Sequence, residues 1–210
     1  MTYAVKECFL TLQGEGVQTG CRAVFLRFAG CNLWTGREQD RATAECQFCD
    51  TDFVGTDGPG GGKFADADGL ARHVEAKWGE GAAHRLVVIT GGEPMLQLDE
   101  PLIDALHRRG FRVAVESNGT LPATPGIDWL TISPKAGTDV VQRQGDELKL
   151  VWPQAGIDPA ALESWDFRQF LIQPMDCAEQ QQAMDAAIAL AMDRPKWRLS
   201  LQAHKVVGLP

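Results

Sequence analysis

Short apolar runs recur along the chain, with amphipathic stretches between several of them. Tyr3 to Leu12 alternates loosely through Val5, Phe9 and Leu10 and predicts a strand, and Arg22 to Ala29 (RAVFLRFA) predicts the next. Leu86 to Thr90 (LVVIT) is a short apolar run, the pattern of a strand covered on both faces. Further strands are predicted at Phe111 to Val115, Ile127 to Ile132, Leu148 to Val151, Phe167 to Ile172 and Trp197 to Ala203. One helix runs from a cap at Asp66 or Asp68 to about Trp78, with Leu70, His73, Val74 and Lys77 at helical spacing. A second spans Asp99 to Arg109, with Leu102, Ile103 and Leu106 inward and Gly110 as its stop, and a third spans Asp176 to Met192. Gly55 to Lys63 reads as a flexible connector.

Strands alternating with helices predict an α/β fold with a parallel sheet and right-handed crossovers. Three long helices are too few for an eightfold barrel. The expected architecture is therefore an open, partial TIM-like barrel of about six parallel strands with a reduced number of helices, in a single domain over residues 1–210.

Charge and composition narrow the function. A net charge of −8 without a long basic run argues against a nucleic-acid groove. The absence of an 18-residue apolar stretch and of a signal-peptide pattern predicts a soluble cytoplasmic protein with no membrane partner. Six cysteines in a chain able to bury a substantial core suit metal-binding thiols in a reducing compartment better than a disulfide framework. Cys8, Cys21 and Cys177 are scattered and read as packing residues.

The other three cysteines share one loop, GCNLWTGREQDRATAECQFCDT from Gly30 to Thr51. Fourteen residues separate Cys31 from Cys46, and two separate Cys46 from Cys49. Three thiolates on one loop can hold three irons of a cubane cluster and leave the fourth open. On its own a Cys-x-x-Cys also fits a zinc half-site or a redox pair, so a non-catalytic zinc or electron-transfer protein stays open at this point. Polar clusters follow other predicted strands: Gly91-Gly-Glu-Pro, Glu116-Ser-Asn, Ser133-Pro-Lys and Gln173-Pro-Met-Asp. In a parallel barrel these ends lie together on the C-terminal face, where sites are built. Each taken singly is also an ordinary turn composition.

Gly30-Cys-Asn-Leu before the loop, Cys46-x-Phe-Cys-Asp-Thr at its end and Gly91-Gly-Glu-Pro together resemble the radical S-adenosylmethionine superfamily. The usual cysteine spacing there is three residues and then two. Here Thr35 stands where the second cysteine would fall, and an insert moves that ligand to Cys46. The departure is similar to the branch of the superfamily that makes 7-carboxy-7-deazaguanine, and the resemblance runs from Leu12-Gln-Gly-Glu-Gly to the C-terminus. It implies a lyase that converts 6-carboxy-5,6,7,8-tetrahydropterin to that product with loss of ammonia, feeding queuosine synthesis. It further implies a homodimer, an electron donor such as flavodoxin, S-adenosylmethionine, a 4Fe–4S cluster and Mg²⁺. The nearest alternative within the superfamily is a glycyl-radical activating enzyme, which the long insert and Thr51 disfavour.

The resemblance also assigns residues. Cys31, Cys46 and Cys49 would hold the cluster, and Thr51 the Mg²⁺. Phe48, Cys49 and Asp50 would touch the nucleoside of S-adenosylmethionine, Gly92 would admit its methionine part, and Glu93 would accept from its amino group. Ser133, Pro134 and Lys135 would contact the ribose and carboxylate side, and Gln173, Pro174, Met175 and Asp176 the adenine pocket. For the pterin, Leu12, Gln13 and Gly14 would meet the ring edge, Thr90 would hydrogen-bond the ring, and the terminal carboxylate of Pro210 would accept from it. Arg27, a cation in an apolar strand, would clamp the substrate carboxylate, although a salt bridge to an acidic residue explains it equally from the residues alone. Glu15, Glu116, Asn118 and His204 are further pocket candidates without an assigned role.

Overall fold

A computed structural model describes residues 2–210. In chain order the strands are β1 (Tyr3–Leu12), β2 (Arg22–Phe28), β3 (Gly62–Phe64), β4 (Leu86–Gly91), β5 (Arg112–Ser117), β6 (Trp129–Ile132), β7 (Gln144–Trp152), β8 (Asp166–Pro174) and β9 (Trp197–Leu199). The helices are α1 (Ala67–Trp78), α2 (Glu100–Arg108), α3 (Pro159–Leu162), α4 (Gln180–Asp193) and α5 (Ala203–Val207). The strands form one sheet in the order β3-β1-β2-β4-β5-β6-β7-β8-β9. Neighbours from β2 to β9 pair in parallel, while β1 pairs antiparallel with β2 and β3. The sheet does not close: β3 and β9 are its two edges. This is the open partial barrel expected, with an antiparallel pair added on one side.

Local chemistry explains the helices. Asp66 caps α1 by accepting from Gly69 N (2.7 Å). Asp99 caps α2 by accepting from Leu102 N (3.1 Å), and the Tyr3 hydroxyl donates to the same carboxylate (2.6 Å), tying the helix to β1. Leu70, Val74 and Trp78 of α1 and Leu102, Ile103 and Leu106 of α2 bury against the convex face of the sheet. Only Ala183 and Ala187 of α4 are buried, and their small side chains let it lie close against β8.

Several boundaries depart from the sequence expectation, among them the start of β7, which lies at Gln144 and not at Leu148. The Gly-rich connector contains β3, because Gly58 N and Gly61 lie against the Lys6 carbonyl, so the stretch pairs with β1 instead of moving freely. The last strand stops at Leu199, and the segment predicted to extend it turns into α5 after Gln202. Helix α4 begins at Gln180 and not at Asp176, since Asp176 is engaged elsewhere.

The period of two places different chemistry on the two faces. The convex face is apolar: Leu26, Phe28, Val87, Ile89, Val113, Val115, Leu148, Leu150 and Ile172 join one core with the helices. The concave face begins apolar, with Ala23, Val88 and Ala114 backed by Phe25 and Trp129. It then turns polar toward the C-terminal strand ends. Glu7 pairs with Arg27, Arg27 with Thr90, Glu116 with Thr131, and Thr131 with Glu147, so a polar row crosses five neighbouring strands and continues onto a sixth. The β1–β2 loop spans this concavity: Gly16 N donates to Ser200 Oγ (3.0 Å) and Val17 N to Glu147 Oε2 (3.0 Å). Among the described residues no helix is long and apolar enough to cross a membrane.

Candidate active site

The cysteine loop leaves the end of β2 and is braced by its own insert. Residues Glu38–Thr43 form a 3-10 turn. Arg41 lies over the Trp34 ring at 4.1 Å, and its Nη1 donates to the carbonyls of Gln47 (2.9 Å) and Cys49 (3.1 Å). Trp34 in turn meets Phe53 edge-on. Arg41 and Trp34 carry no motif, so sequence reasoning passed over them; an Arg and a Trp inside an otherwise polar insert were the only signal. Gly92 sits where any Cβ would collide with the Gly30 carbonyl and the Cys31 side chain, so glycine brings the Gly-Gly-Glu-Pro turn against the cysteine loop.

Cys46 is buried, and Cys31 and Cys49 are half-buried. Burial pushes the Cys31 and Cys46 thiols up, and each is raised further by the charge of Cys49. Leu33 N donates to Cys31 Sγ (3.4 Å), and the Lys135 ammonium favours the charged form of Cys46. Thiols close enough to oppose one another's ionisation become thiolates together only when a positive group binds them. Among the described residues no three His, Cys, Asp or Glu side chains converge tightly enough for a single ion. A cubane cluster takes each thiolate at a different iron, and three thiols lining one pocket are the donor set it needs.

A pocket of about 460 Å³ opens in front of the loop, a size typical of ligand sites. The strand-end clusters expected to share an address do share it. Cys31, Cys46, Phe48, Cys49, Asp50, Thr51, Gly92, Ser133, Lys135, Gln173, Pro174, Met175 and Asp176 line it. Leu12, Gln13, Gly14, Glu15, Arg27, Thr90, Glu116, Asn118, His204 and Pro210 line the same pocket. Two residues depart from expectation. Pro134 is buried behind the wall and does not face the pocket, because the strand-end turn points Ser133 and Lys135 inward and leaves the proline between them outward. Glu93 is fully buried and absent from the lining: its carboxylate accepts from Met95 N (2.9 Å), Ser117 Oγ (2.9 Å) and Asn118 N (2.8 Å). It therefore anchors the turn after β5. Burial raises its pKa despite those donors.

Several lining groups hold one another. Burial lowers the pKa of Lys135, whose Nζ donates to the Ser133 carbonyl and hydroxyl (both 2.7 Å) and lies 5.8 Å from the centre of the Phe48 ring. Gln173 Oε1 accepts from Ser200 (3.1 Å). Lys205 Nζ bridges Asp50 (2.9 Å) and Asp176 (2.5 Å), fastening α5 to two strand-end loops at once. The Thr51 hydroxyl has only a long contact, 3.5 Å to Asp50. The neighbouring Asp52 and Asp57 pair with the buried Lys6 (2.8 Å each).

Arg27 Nε donates to Glu7 Oε1 (2.7 Å), the salt bridge that was one of its two expected explanations, and Arg27 still borders the pocket. Gln13 Nε2 donates to Glu116 Oε1 (2.9 Å). A Cβ on Gly14 would overlap the His204 ring, so the glycine lets α5 seat His204 on the β1 end. The Pro210 carbonyl accepts from Thr11 Oγ1 (3.3 Å), which places the tail at the pocket rim. Lys149, not foreseen from the sequence, is buried at the pocket floor between Glu15 and Glu116. Burial opposes the charge of Glu15, but the Lys149 ammonium together with the Gln202 and Gln173 amides outweighs it and brings the carboxyl down to about 2.

An open half-barrel that gathers three thiols beside a pocket at its strand ends is the site of the Radical SAM superfamily, whose profile matches residues 39–146. The match starts inside the insert, beyond Cys31. A protein named 7-carboxy-7-deazaguanine synthase from Bordetella pertussis is 60% identical over 210 residues, covering all of both chains. One of the same name from Caulobacter vibrioides is also 60% identical over the full length of both. The crystal structure of QueE from Escherichia coli superposes with a TM-score of 0.72 at 29% identity, covering 97% of this chain and 95% of that one. The chain belongs to the 7-carboxy-7-deazaguanine synthase family of the Radical SAM superfamily.

Proposed function

We propose that this chain, a single domain, is a radical S-adenosylmethionine lyase that converts 6-carboxy-5,6,7,8-tetrahydropterin to 7-carboxy-7-deazaguanine with loss of ammonia, in queuosine synthesis. The observation that carries this reading is one pocket with two chemistries. Three cysteines line it, and so do several carboxylates and the Arg27 guanidinium. The first suits a cluster and the second a flat, donor-rich heterocycle bearing a carboxylate.

Cys31, Cys46 and Cys49 would hold the cluster, which when bound would supply the single electron for reductive cleavage of S-adenosylmethionine. Arg41 keeps the Cys46–Cys49 segment in shape by occupying its carbonyls. Phe48, Cys49 and Asp50 meet the nucleoside, Gly92 admits the methionine part, Ser133 and Lys135 face the ribose and carboxylate, and Gln173, Pro174, Met175 and Asp176 face the adenine. The Thr51 hydroxyl is a hard oxygen suited to Mg²⁺, with substrate oxygens and water completing the ion's shell.

Arg27 presents its guanidinium to the substrate carboxylate, its Nε already oriented by Glu7. Glu116, Gln13 and the backbone of Leu12 and Gly14 receive the donor edge of the ring. Thr90 bonds the ring from the sheet, and the carboxylate of Pro210 closes the rim. Holding the reacting carbon still beside the deoxyadenosyl group keeps the radical on one path. The enzyme works in the cytoplasm as a homodimer, reduced by a carrier such as flavodoxin.

The test is anaerobic reconstitution followed by metal analysis and assay. The expected result is roughly four iron and four sulfide per chain and formation of the deazaguanine from the tetrahydropterin. Stoichiometric zinc in place of iron, or a loaded enzyme inert toward the tetrahydropterin, overturns the reading.

A further inference from the structure

Lys149 lies on the concave face of β7, only 4% exposed. Its Nζ donates to Glu116 Oε2 (2.9 Å) and to Glu15 Oε2. Each carboxylate passes the contact on. Glu116 Oε1 accepts from Gln13, and Glu15 Oε1 accepts from Gln202 Nε2 (2.9 Å). Gln202 directly precedes α5, whose first residue, Ala203, donates its N–H to the Gly14 carbonyl (2.8 Å). One buried ammonium thus stands at the junction of the β1 end, the β5 end and the C-terminal segment.

We propose that Lys149 is a positioning residue for the pterin reaction: it holds Glu116 as the acceptor for the substrate's donor edge and, through Glu15 and Gln202, fastens the C-terminal segment that carries His204 to the pocket. This rests on the function proposed above. Charge makes the case for the first half. Glu15, Glu116 and Glu147 all act on Lys149, and Lys149 in turn acts on Lys135. The Lys135 ammonium is turned to Ser133, so it does not replace Lys149. Without Lys149, Glu15 and Glu116 become like charges in a buried site, and one must take a proton or swing away. Either change removes a fixed acceptor from the place where an amidine-like edge needs it. The connectivity makes the case for the second half, because Glu15 is the link between Lys149 and Gln202.

The experiment uses the full-length reconstituted protein and Lys149→Met, with cluster absorbance as the check on folding. Affinity for the tetrahydropterin is expected to weaken about tenfold or more with kcat changed much less, and amide exchange over residues 203–207 to speed up without substrate present. Adding Glu15→Gln relieves the like-charge pair, so the double variant recovers much of the affinity. Should Lys149→Met lose its cluster, Lys149→Gln removes the charge while keeping hydrogen-bond donors and is expected to show the same changes. Unchanged affinity and exchange overturn the proposal, as does a loss of affinity that Glu15→Gln does not relieve. The exchange measurement needs no substrate, so it stands even where wild-type enzyme fails to turn over the pterin, an outcome that would overturn the function and not the fastening of the tail.

Discussion

Arg27 and Glu7 face one another across the antiparallel pair β1–β2, joined from Nε to Oε1 at 2.7 Å. Glu7 occupies one edge of the guanidinium, and Arg27 Nη1 reaches only the Gly91 carbonyl, at 3.3 Å. The pair is a held fork, with part of its donor set still available to a carboxylate.

Arg27→Lys keeps the charge and loses the planar fork. Affinity for the 6-carboxy substrate is expected to fall about tenfold or more, within the range for a buried charge-assisted contact, with the cluster spectrum unchanged. Isothermal titration against an analogue lacking the carboxylate checks the assignment. An equal loss for both ligands means that Arg27 serves the sheet alone.

Cys31→Ala, Cys46→Ala and Cys49→Ala are each expected to abolish cluster absorbance and turnover, while Cys21→Ala and Cys177→Ala leave both intact. Cys8 is fully buried, so Cys8→Ala keeps the cluster and costs about 1 kcal/mol of stability. Arg41→Ala frees the carbonyls of Gln47 and Cys49, and the expected result is faster loss of iron to a chelator, followed by the decay of the visible absorbance.

Thr51→Ala is expected to blunt the response of turnover to Mg²⁺ while deoxyadenosine still forms, because no thiol is touched. Chromatography of both products reads this uncoupling directly. A full Mg²⁺ response in the variant removes Thr51 from the ion's shell.

The Glu15–Lys149 pair makes stability depend on acidity. The Glu15 carboxyl is held down to about 2 from an ordinary 4.5, so its contribution is complete above 4.5 and is lost as the pH falls toward 2. Burial raises Glu93 and Glu147, which act in the opposite sense: their contribution is present below the ordinary carboxylate range and is lost as the pH rises through their raised values. Comparing Glu15→Gln with wild type isolates the first effect. The expected result is a flatter fall of Tm between pH 4.5 and 2 in the variant, and parallel curves would show that Glu15 gains nothing from Lys149.

Most of the strands were legible because a sheet covered by helices must be apolar on one face, and runs such as LVVIT cannot hide. The cysteines, Gly92 and the strand-end clusters were legible because their residue types are restricted by chemistry. Lys149 was not. The expected strand began at Leu148, which cut Glu147 from the pattern and left Lys149 as one polar residue in an apolar run. Its meaning lies in partners 33 and 134 residues away. Glu93 misled for the reverse reason: a motif names a residue but not the direction of its side chain, and only the positions of Ser117 and Asn118 show which way it turns. The last strand was drawn too long because Ala203 opens a helix held against Gly14, a surface supplied from the opposite end of the chain.

The bridging of the concavity by the β1–β2 loop has a consequence for synthesis on the ribosome. Gly16 waits for Ser200 across 184 residues, and Glu15 for Gln202 across 187. Strands β2, β4, β5, β6 and β7 can pair as they emerge, each on the one before, but the pocket has no far wall until almost the whole polypeptide has been released. Contacts of such separation are slow to form and leave nascent surface exposed. The acidic, thiol-bearing face of this protein therefore spends its translation open to the cell, and any cluster delivered before release meets cysteines whose surroundings are only half built.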